Sequence, residues 1–165
     1  MALLISEIFK PEPLSFSPFA TLEVVGAIRL PDVGKANIIS VYCPKGDATE
    51  SDLVPLFNTA NEVLVAGDMN AHNPLWDTRR WRNTCGNPLY RVLEANTELK
   101  LLTPFGLPTR VRPTTANTST IDLAVGFHWH REPGQRAPGP YAGSDHRPII
   151  IDFTLEVDYY LSMPR

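Results

Sequence analysis

Val63-Leu64-Val65-Ala66-Gly67-Asp68-Met69-Asn70-Ala71-His72 is the stretch from which the fold is read. Its first four residues form a continuous apolar run that stops at a glycine, as a strand buried on both faces does when it ends in a sharp turn. Such a strand needs cover on both sides, so a sheet flanked by helices is expected around it. Asp68 and Asn70 then stand at the C-terminal mouth of the strand, where sheets commonly meet their ligands. If the extended conformation persists, residues two apart project to the same side and set a carboxylate beside an amide. The carboxylate can take a proton and the amide can orient a reactant. For an isolated Gly-Asp-x-Asn, an Asx-rich turn that serves only the backbone is the favoured reading.

Outward from this strand, Ala2 to Ile5, Thr21 to Ile28 and Asn37 to Tyr42 are short runs rich in Leu, Ile and Val, separated by Pro-containing turns, and read as strands. From Ser51 the period changes. Leu53, Leu56, Phe57 and Ala60 fall on one helical face, with Ser51 as N-cap. A second helix is signalled by Asn87 as cap and Pro88 at the first helical position, with Leu89, Val92 and Leu93 inward and an end near Glu98. Leu101 and Leu102, Ile121 to Val125 and Ile149 to Phe153 complete the strand candidates. Leu155 to Arg165 extends the last strand or trails from it.

At 165 residues with 43% apolar content, the chain buries one sizeable core, and residues 1–165 read as a single domain. Sixteen prolines, roughly double average usage, favour short elements joined by loops. A net charge of -3 makes any nucleic-acid contact local, and bound divalent cations would offset part of the deficit. Cys43 and Cys85 are too few for a disulfide framework and share no zinc-site spacing with histidine, so a reduced, intracellular protein is expected. No apolar run reaches membrane-spanning length, and Met1 to Ile5 lacks the features of a signal peptide.

Two further segments carry chemistry. Ser144-Asp145-His146-Arg147-Pro148 precedes the apolar Ile149-Ile150-Ile151, placing an acid and an imidazole at a strand mouth, a pattern equally read as a polar loop satisfying its own backbone. In Thr120-Ile121-Asp122-Leu123-Ala124-Val125 a carboxylate interrupts an apolar strand, which is costly without a partner. His146 is the expected partner, because a carboxylate on one ring nitrogen fixes the tautomer and aims the other at substrate.

Taken in order, Tyr42-Cys43-Pro44, Gly67 to His72, Ser119-Thr120-Ile121-Asp122-Leu123 and Ser144 to Pro148 resemble the endonuclease/exonuclease/phosphatase superfamily. Asn70-Ala71-His72 followed by Pro74 and Trp76, with the Ser-Thr-Ile-Asp-Leu form, is similar to the apurinic/apyrimidinic-like endonuclease domains of jockey-type non-LTR retrotransposons. The resemblance spans roughly Asn37 to Phe153 by motif order. It implies an α/β fold of the deoxyribonuclease I type, a sandwich of two mixed β-sheets flanked by helices, with the active site where loops from both sheets meet.

The resemblance also implies roles. Asp68 would orient or deprotonate the attacking water, Asn70 would hold it or a phosphate oxygen, and Tyr42 would donate to the phosphate. Asp145 would lie in a Mg²⁺ or Mn²⁺ site, and His146, steadied by Asp122, would meet the phosphoryl oxygens. DNA is the implied partner, with a reverse transcriptase fused or encoded downstream and, for such an element, a nuclear location. Members normally carry an Asn at the end of a first strand and a metal-binding Glu further along; neither motif is visible, so an N-terminally truncated member missing the first strands is expected. Such a domain is either an endonuclease impaired by that loss or a nucleic-acid-binding or interaction remnant without catalysis; a phosphatase acting on a small ester is the other enzymatic reading.

Arg79-Arg80-Trp81-Arg82 is the strongest basic cluster, an aromatic that can stack on a base among arginines that can meet phosphates, and Arg110 and Arg112 would line the other side of a groove. A solvated loop around a half-buried ring has the same composition. His128 and His130 lack a third ligand for a metal.

Overall fold

The computed structural model describes residues 4–30, 36–58, 61–79, 81–112, 114–127 and 136–152. Within them a mixed six-stranded sheet forms the body of the molecule. Its strands are β1 (Glu12–Pro13), β2 (Glu23–Leu30), β3 (Ala36–Tyr42), β4 (Val63–Asp68), β5 (Leu99–Leu101) and β8 (Asp122–Phe127), in the order β1-β2-β3-β4-β8-β5. Two small antiparallel ribbons complete the β-structure, β6 (Arg110–Val111) with β7 (Thr118–Ser119) and β9 (Arg136–Pro138) with β10 (Ile149–Ile151).

The β4 run takes the central place its composition demands. It lies parallel to β3, through the crossover that parallel strands require, and antiparallel to β8. The crossover contains α1 (Glu50–Phe57), and α2 (Gly86–Ala95) follows β4. Leu53, Leu56 and Phe57 of α1 and Leu89 and Val92 of α2 share one core with Ile39, Val41, Val63, Val65, Leu123 and Val125 of the sheet. The opposite face differs from expectation. Leu64 and Ala66 are only partly buried, so β4 is sealed on its helical side and half-open on the other. Gly67, next to last in β4, is a glycine because nothing larger fits: its φ is 155°, and an added Cβ would sit 1.8 Å from the Val41 carbonyl oxygen.

Helix ends moved relative to the sequence reading, each for a visible reason. Thr49, not Ser51, caps α1, since Asp52 at the third helical position accepts from the Thr49 backbone N–H at 3.3 Å and from its hydroxyl at 2.8 Å. Asp52 also accepts from the Ala20 N–H and the Thr21 hydroxyl; burial pushes its carboxyl up, but these hydrogen bonds win and hold it below its ordinary value. The helix ends at Phe57, and Ala60 lies outside the described residues. Cys85, not Asn87, caps α2, which stops at Ala95 rather than Glu98. The Asn83 side chain takes the Gly86 N–H and so starts this helix one residue before Asn87.

Strand limits shift similarly. Leu4 and Ile5 are not in a strand, and residues 2 and 3 of that expected run lie outside the described residues. The expected Thr21 to Ile28 and Ile121 to Val125 runs are displaced toward Leu30 and Phe127. Leu99–Leu101 replaces Leu101-Leu102, because Leu102 leaves the ladder to donate to the Ala124 carbonyl. Phe153, His128 to Arg131 and the segment from Leu155 also lie outside the described residues. Both cysteines are free and buried. Among the described residues no helix is long and apolar enough to cross a membrane.

Candidate active site

One rung of the sheet carries four polar residues. Glu23 on β2 pairs with Tyr42 on β3, Tyr42 with Asp68 on β4, and Asp68 with Asp122 on β8. Directly paired residues of neighbouring strands present their side chains on one face, with strands about 4.8 Å apart. The row therefore runs across the half-open face of the sheet. With Val24, Val25 and His146 it lines a cavity of about 730 Å³.

His146 reaches this row on a loop pinned to β6. Its backbone bridges to Arg110, the Val111 N–H donates to the Asp145 carbonyl at 2.7 Å, and the Arg147 N–H donates to the Thr109 carbonyl at 2.7 Å. His146 Nδ1 lies 3.0 Å from both carboxylate oxygens of Asp122, and His146 Nε2 lies 4.0 Å from Asp68 Oδ2. An ionised carboxylate only accepts, so Nδ1 carries the proton of this contact and Nε2 is turned toward Asp68. The expected Asp122–His146 partnership is thus present.

Burial pushes the Asp68 carboxyl above its ordinary 3.8, against the opposing pull of the Asn70 N–H, His146 and Arg110. Burial raises Asp122 too, with the His146 charge and hydrogen bond pulling it back. An acid with a raised pKa exchanges protons closer to neutrality, which suits a general base.

Asp68 and Asn70 come together by a route other than the expected extended chain. The strand ends at Asp68, Asn70 adopts a left-handed φ of 44°, and the Asn70 N–H donates to Asp68 Oδ1 at 3.0 Å. The Asx turn therefore exists, and it is what sets the amide beside the carboxylate. Asn70 Nδ2 donates to the Cys43 carbonyl at 3.0 Å and stands 3.5 Å from Asp68 Oδ2.

Asp145 lies at the flank, its Oδ2 accepting from Arg110 Nε at 3.0 Å, and that hydrogen bond holds its carboxyl below the ordinary value. Arg110 is thus paired with an acid rather than presented alone. The basic loop is likewise braced. Arg79 Nε donates to the Thr118 carbonyl at 3.0 Å, Arg82 lies over the Tyr90 ring at 5.5 Å, and Trp81 stacks on His72; Arg80 lies outside the described residues.

Three contributors were missed in the sequence. Glu23 sits in a strand that looks merely amphipathic, and only its register against Tyr42 reveals it. Thr109, fully buried in a Pro-rich loop, gives its hydroxyl oxygen to the N–H groups of Ile121 and Asp122 and its carbonyl to Arg147. Asp77 is buried beneath His72, whose Nδ1 it meets at 2.7 Å. No spacing rule links these residues to the motifs they serve.

Asp68, Asp122 and His146 offer ligand atoms that all lie within 4.8 Å of one another, a donor set able to hold a metal ion. A hard divalent cation prefers such oxygens and would relieve the cost of the buried Asp68 charge.

A family model described as endonuclease-reverse transcriptase matches residues 36–150. The endonuclease domain of TRAS1, a telomere-specific non-LTR retrotransposon, superposes with a TM-score of 0.61 at 18% identity, over 82% of this chain. The chain spans 64% of that domain's length. None of the curated proteins matches.

Proposed function

Since the chain belongs to the endonuclease-reverse transcriptase family, whose model covers residues 36–150, we propose that it hydrolyses phosphodiester bonds of DNA with a divalent cation, Mg²⁺ or Mn²⁺. The observation that carries this reading is His146, fixed through Nδ1 by Asp122 with Nε2 turned toward Asp68 across the cavity. Asp68 takes a proton from water, its oxygen attacks phosphorus, and one ester P–O bond breaks as the leaving oxygen regains a proton from solvent. Asn70 holds the water or a phosphate oxygen beside Asp68. The Tyr42 hydroxyl donates to the phosphoryl oxygens as charge accumulates, and His146 does so from Nε2 when its ring carries both protons, with Asp122 accepting from Nδ1.

Of the donor set that the fold brings together, Asp68 would hold the cation while Asp122 is committed to His146; Asp145, bound by Arg110, would join Asp68 in this reading. When bound, the cation supplies Lewis-acid neutralisation of the phosphate's charge. In this reading Arg79, Arg82 and Arg110 contact phosphates; Arg80, expected to join them, lies outside the described residues. A linked reverse transcriptase would use the nicked strand as primer, and the reaction would then be nuclear.

Incubation of supercoiled plasmid with the protein and Mg²⁺ or Mn²⁺ tests the proposal. Nicked circles are expected, with Asp68→Ala and His146→Ala each slowing their formation by about 10²–10⁴-fold. Nicking by both variants at the parental rate would sink the assigned roles. Hydrolysis of small phosphate esters with plasmid left intact would replace DNA as substrate.

A further inference from the structure

The loop that follows Asn70 contains a structure that the proposed hydrolysis does not use. Trp81 is 47% exposed, and its ring stacks on the His72 imidazole with centroids 4.2 Å apart and planes 27° from parallel. A large ring is thus held in water by one face. The support beneath it is fixed. His72 Nδ1 meets Asp77 Oδ2 at 2.7 Å, and the Asp77 side chain has no exposed surface. Asp77 Oδ1 also accepts from the Arg79 N–H at 3.1 Å, so the carboxylate anchors the loop from two sides.

This loop is tied to the cavity. Asn83 Oδ1 accepts the His72 N–H at 2.9 Å, while Asn83 Nδ2 donates to the Asn70 carbonyl at 2.5 Å. On the other side, Arg79 reaches the Thr118 carbonyl of β7, whose partner strand β6 bridges to His146. Burying a carboxylate is costly. Here that carboxylate orients an imidazole whose ring carries an exposed indole, at a fixed place beside Asn70.

We propose that Trp81, seated on His72, is a stacking platform for one unpaired nucleobase of the DNA held at the site. This rests on the endonuclease reading and deepens it by naming the form of DNA preferred. An aromatic face accepts any base, because every base has a π-face. A base inside a duplex already has both faces covered by its neighbours. Only an extruded, mismatched or single-stranded base offers a free face, and the Arg79 and Arg82 charges that flank Trp81 in the sequence suit its neighbouring phosphates.

The test uses the full chain carrying His146→Ala, so that bound DNA is not cut, and fluorescence anisotropy with labelled oligothymidylate and a blunt duplex of equal length. Adding Trp81→Ala is expected to weaken single-strand binding by about 5- to 150-fold while changing duplex binding less than twofold. Trp81→Phe should retain most of the affinity, which separates stacking from misfolding. Asp77→Asn, which loosens His72, should fall between them with its circular dichroism unchanged.

Equal losses on both DNA forms, or none on either, would overturn the platform. So would self-association, measured by sedimentation, that disappears with Trp81→Ala while DNA binding stays intact. Trp81-dependent binding by a chain that nicks no plasmid would leave the platform standing and remove the endonuclease reading. Plasmid nicking with single-strand affinity indifferent to Trp81 would do the reverse.

Discussion

The Thr109 hydroxyl oxygen accepts the backbone N–H of Asp122 at 3.1 Å. The same oxygen takes the Ile121 N–H at 3.0 Å, and the Thr109 carbonyl takes the Arg147 N–H at 2.7 Å. One buried residue therefore fixes the entry of the strand that carries the acid and the exit of the loop that carries the imidazole. The 3.0 Å contacts between Asp122 and His146 depend on both ends being held.

Thr109→Val keeps the shape and deletes the oxygen, leaving the Ile121 and Asp122 N–H groups unpaired in the interior. Denaturant unfolding should show a loss of about 1–3 kcal/mol. In plasmid nicking kcat should fall with KM little changed, since the damage falls on the alignment of Asp122 and His146. A fall in KM-dependent binding alone would show that Thr109 does not position the pair.

The pH dependence of nicking should betray the burial of Asp68. A base must be ionised to act, so at limiting cation, where no metal charge lies beside Asp68, its pKa raised above 3.8 moves the acidic limb of the rate profile to higher pH than an ordinary aspartate gives. Arg110 lowers that pKa by its charge and also neutralises Asp145, whose own charge raises it. Arg110→Ala removes both effects in the same direction, so the limb should move further toward alkaline pH. A limb that stays in place would mean that another group governs the profile.

How far these features can be read in advance depends on the range of the interactions that make them. The β4 run and its following Asp68 were legible because a continuous apolar run stopped by a turn glycine leaves a local signature, although one face of that strand is half-open rather than buried. The Asp122–His146 contact was legible too, since an acid in an apolar strand demands a partner and few candidates exist. The route by which Asn70 joins Asp68 was not, because a left-handed residue reverses the side on which alternation would place it. Glu23 was hidden altogether. Its place beside Tyr42 depends on a register that shifts between Val24 and Gly26, and sequence alternation carries no record of such a bulge. Cap positions failed for a related reason: the Asn83 and Asp52 side chains that set them answer to tertiary partners, the His72 N–H and the Ala20 N–H.

Asp68 should also trade stability for function. Its folded-state pKa lies above the ordinary value, so between 3.8 and the raised value the folded chain binds more protons than the unfolded one. Stability contributed by this group is therefore present at low pH and lost as pH rises through that window. Asp68→Asn abolishes the titration. Its thermal midpoint should fall less than the parent's as pH rises across the window and lie above the parent's at neutral pH, while nicking collapses. Parallel curves for the two proteins would show that Asp68 ionises in the fold at no cost.

Cation affinity offers the most direct check on the rung. Glu23 and Asp68 stand on either side of Tyr42, two strands apart, and both line the cavity. With Asp122 engaged by His146 and Asp145 shared with Arg110, Glu23 is the carboxylate of the row that no ring or guanidinium claims among the described residues. Mg²⁺ relies on one or two carboxylates plus water and phosphate, so losing one should weaken binding without abolishing it. Glu23→Gln should raise the Mn²⁺ dissociation constant roughly tenfold in calorimetric titration, as loss of a supporting oxygen does elsewhere. Because Glu23 is exposed at a strand end, folding should be untouched and excess cation should restore nicking. Unchanged Mn²⁺ affinity would remove Glu23 from the cation site and leave Asp68 and Asp145 to hold it.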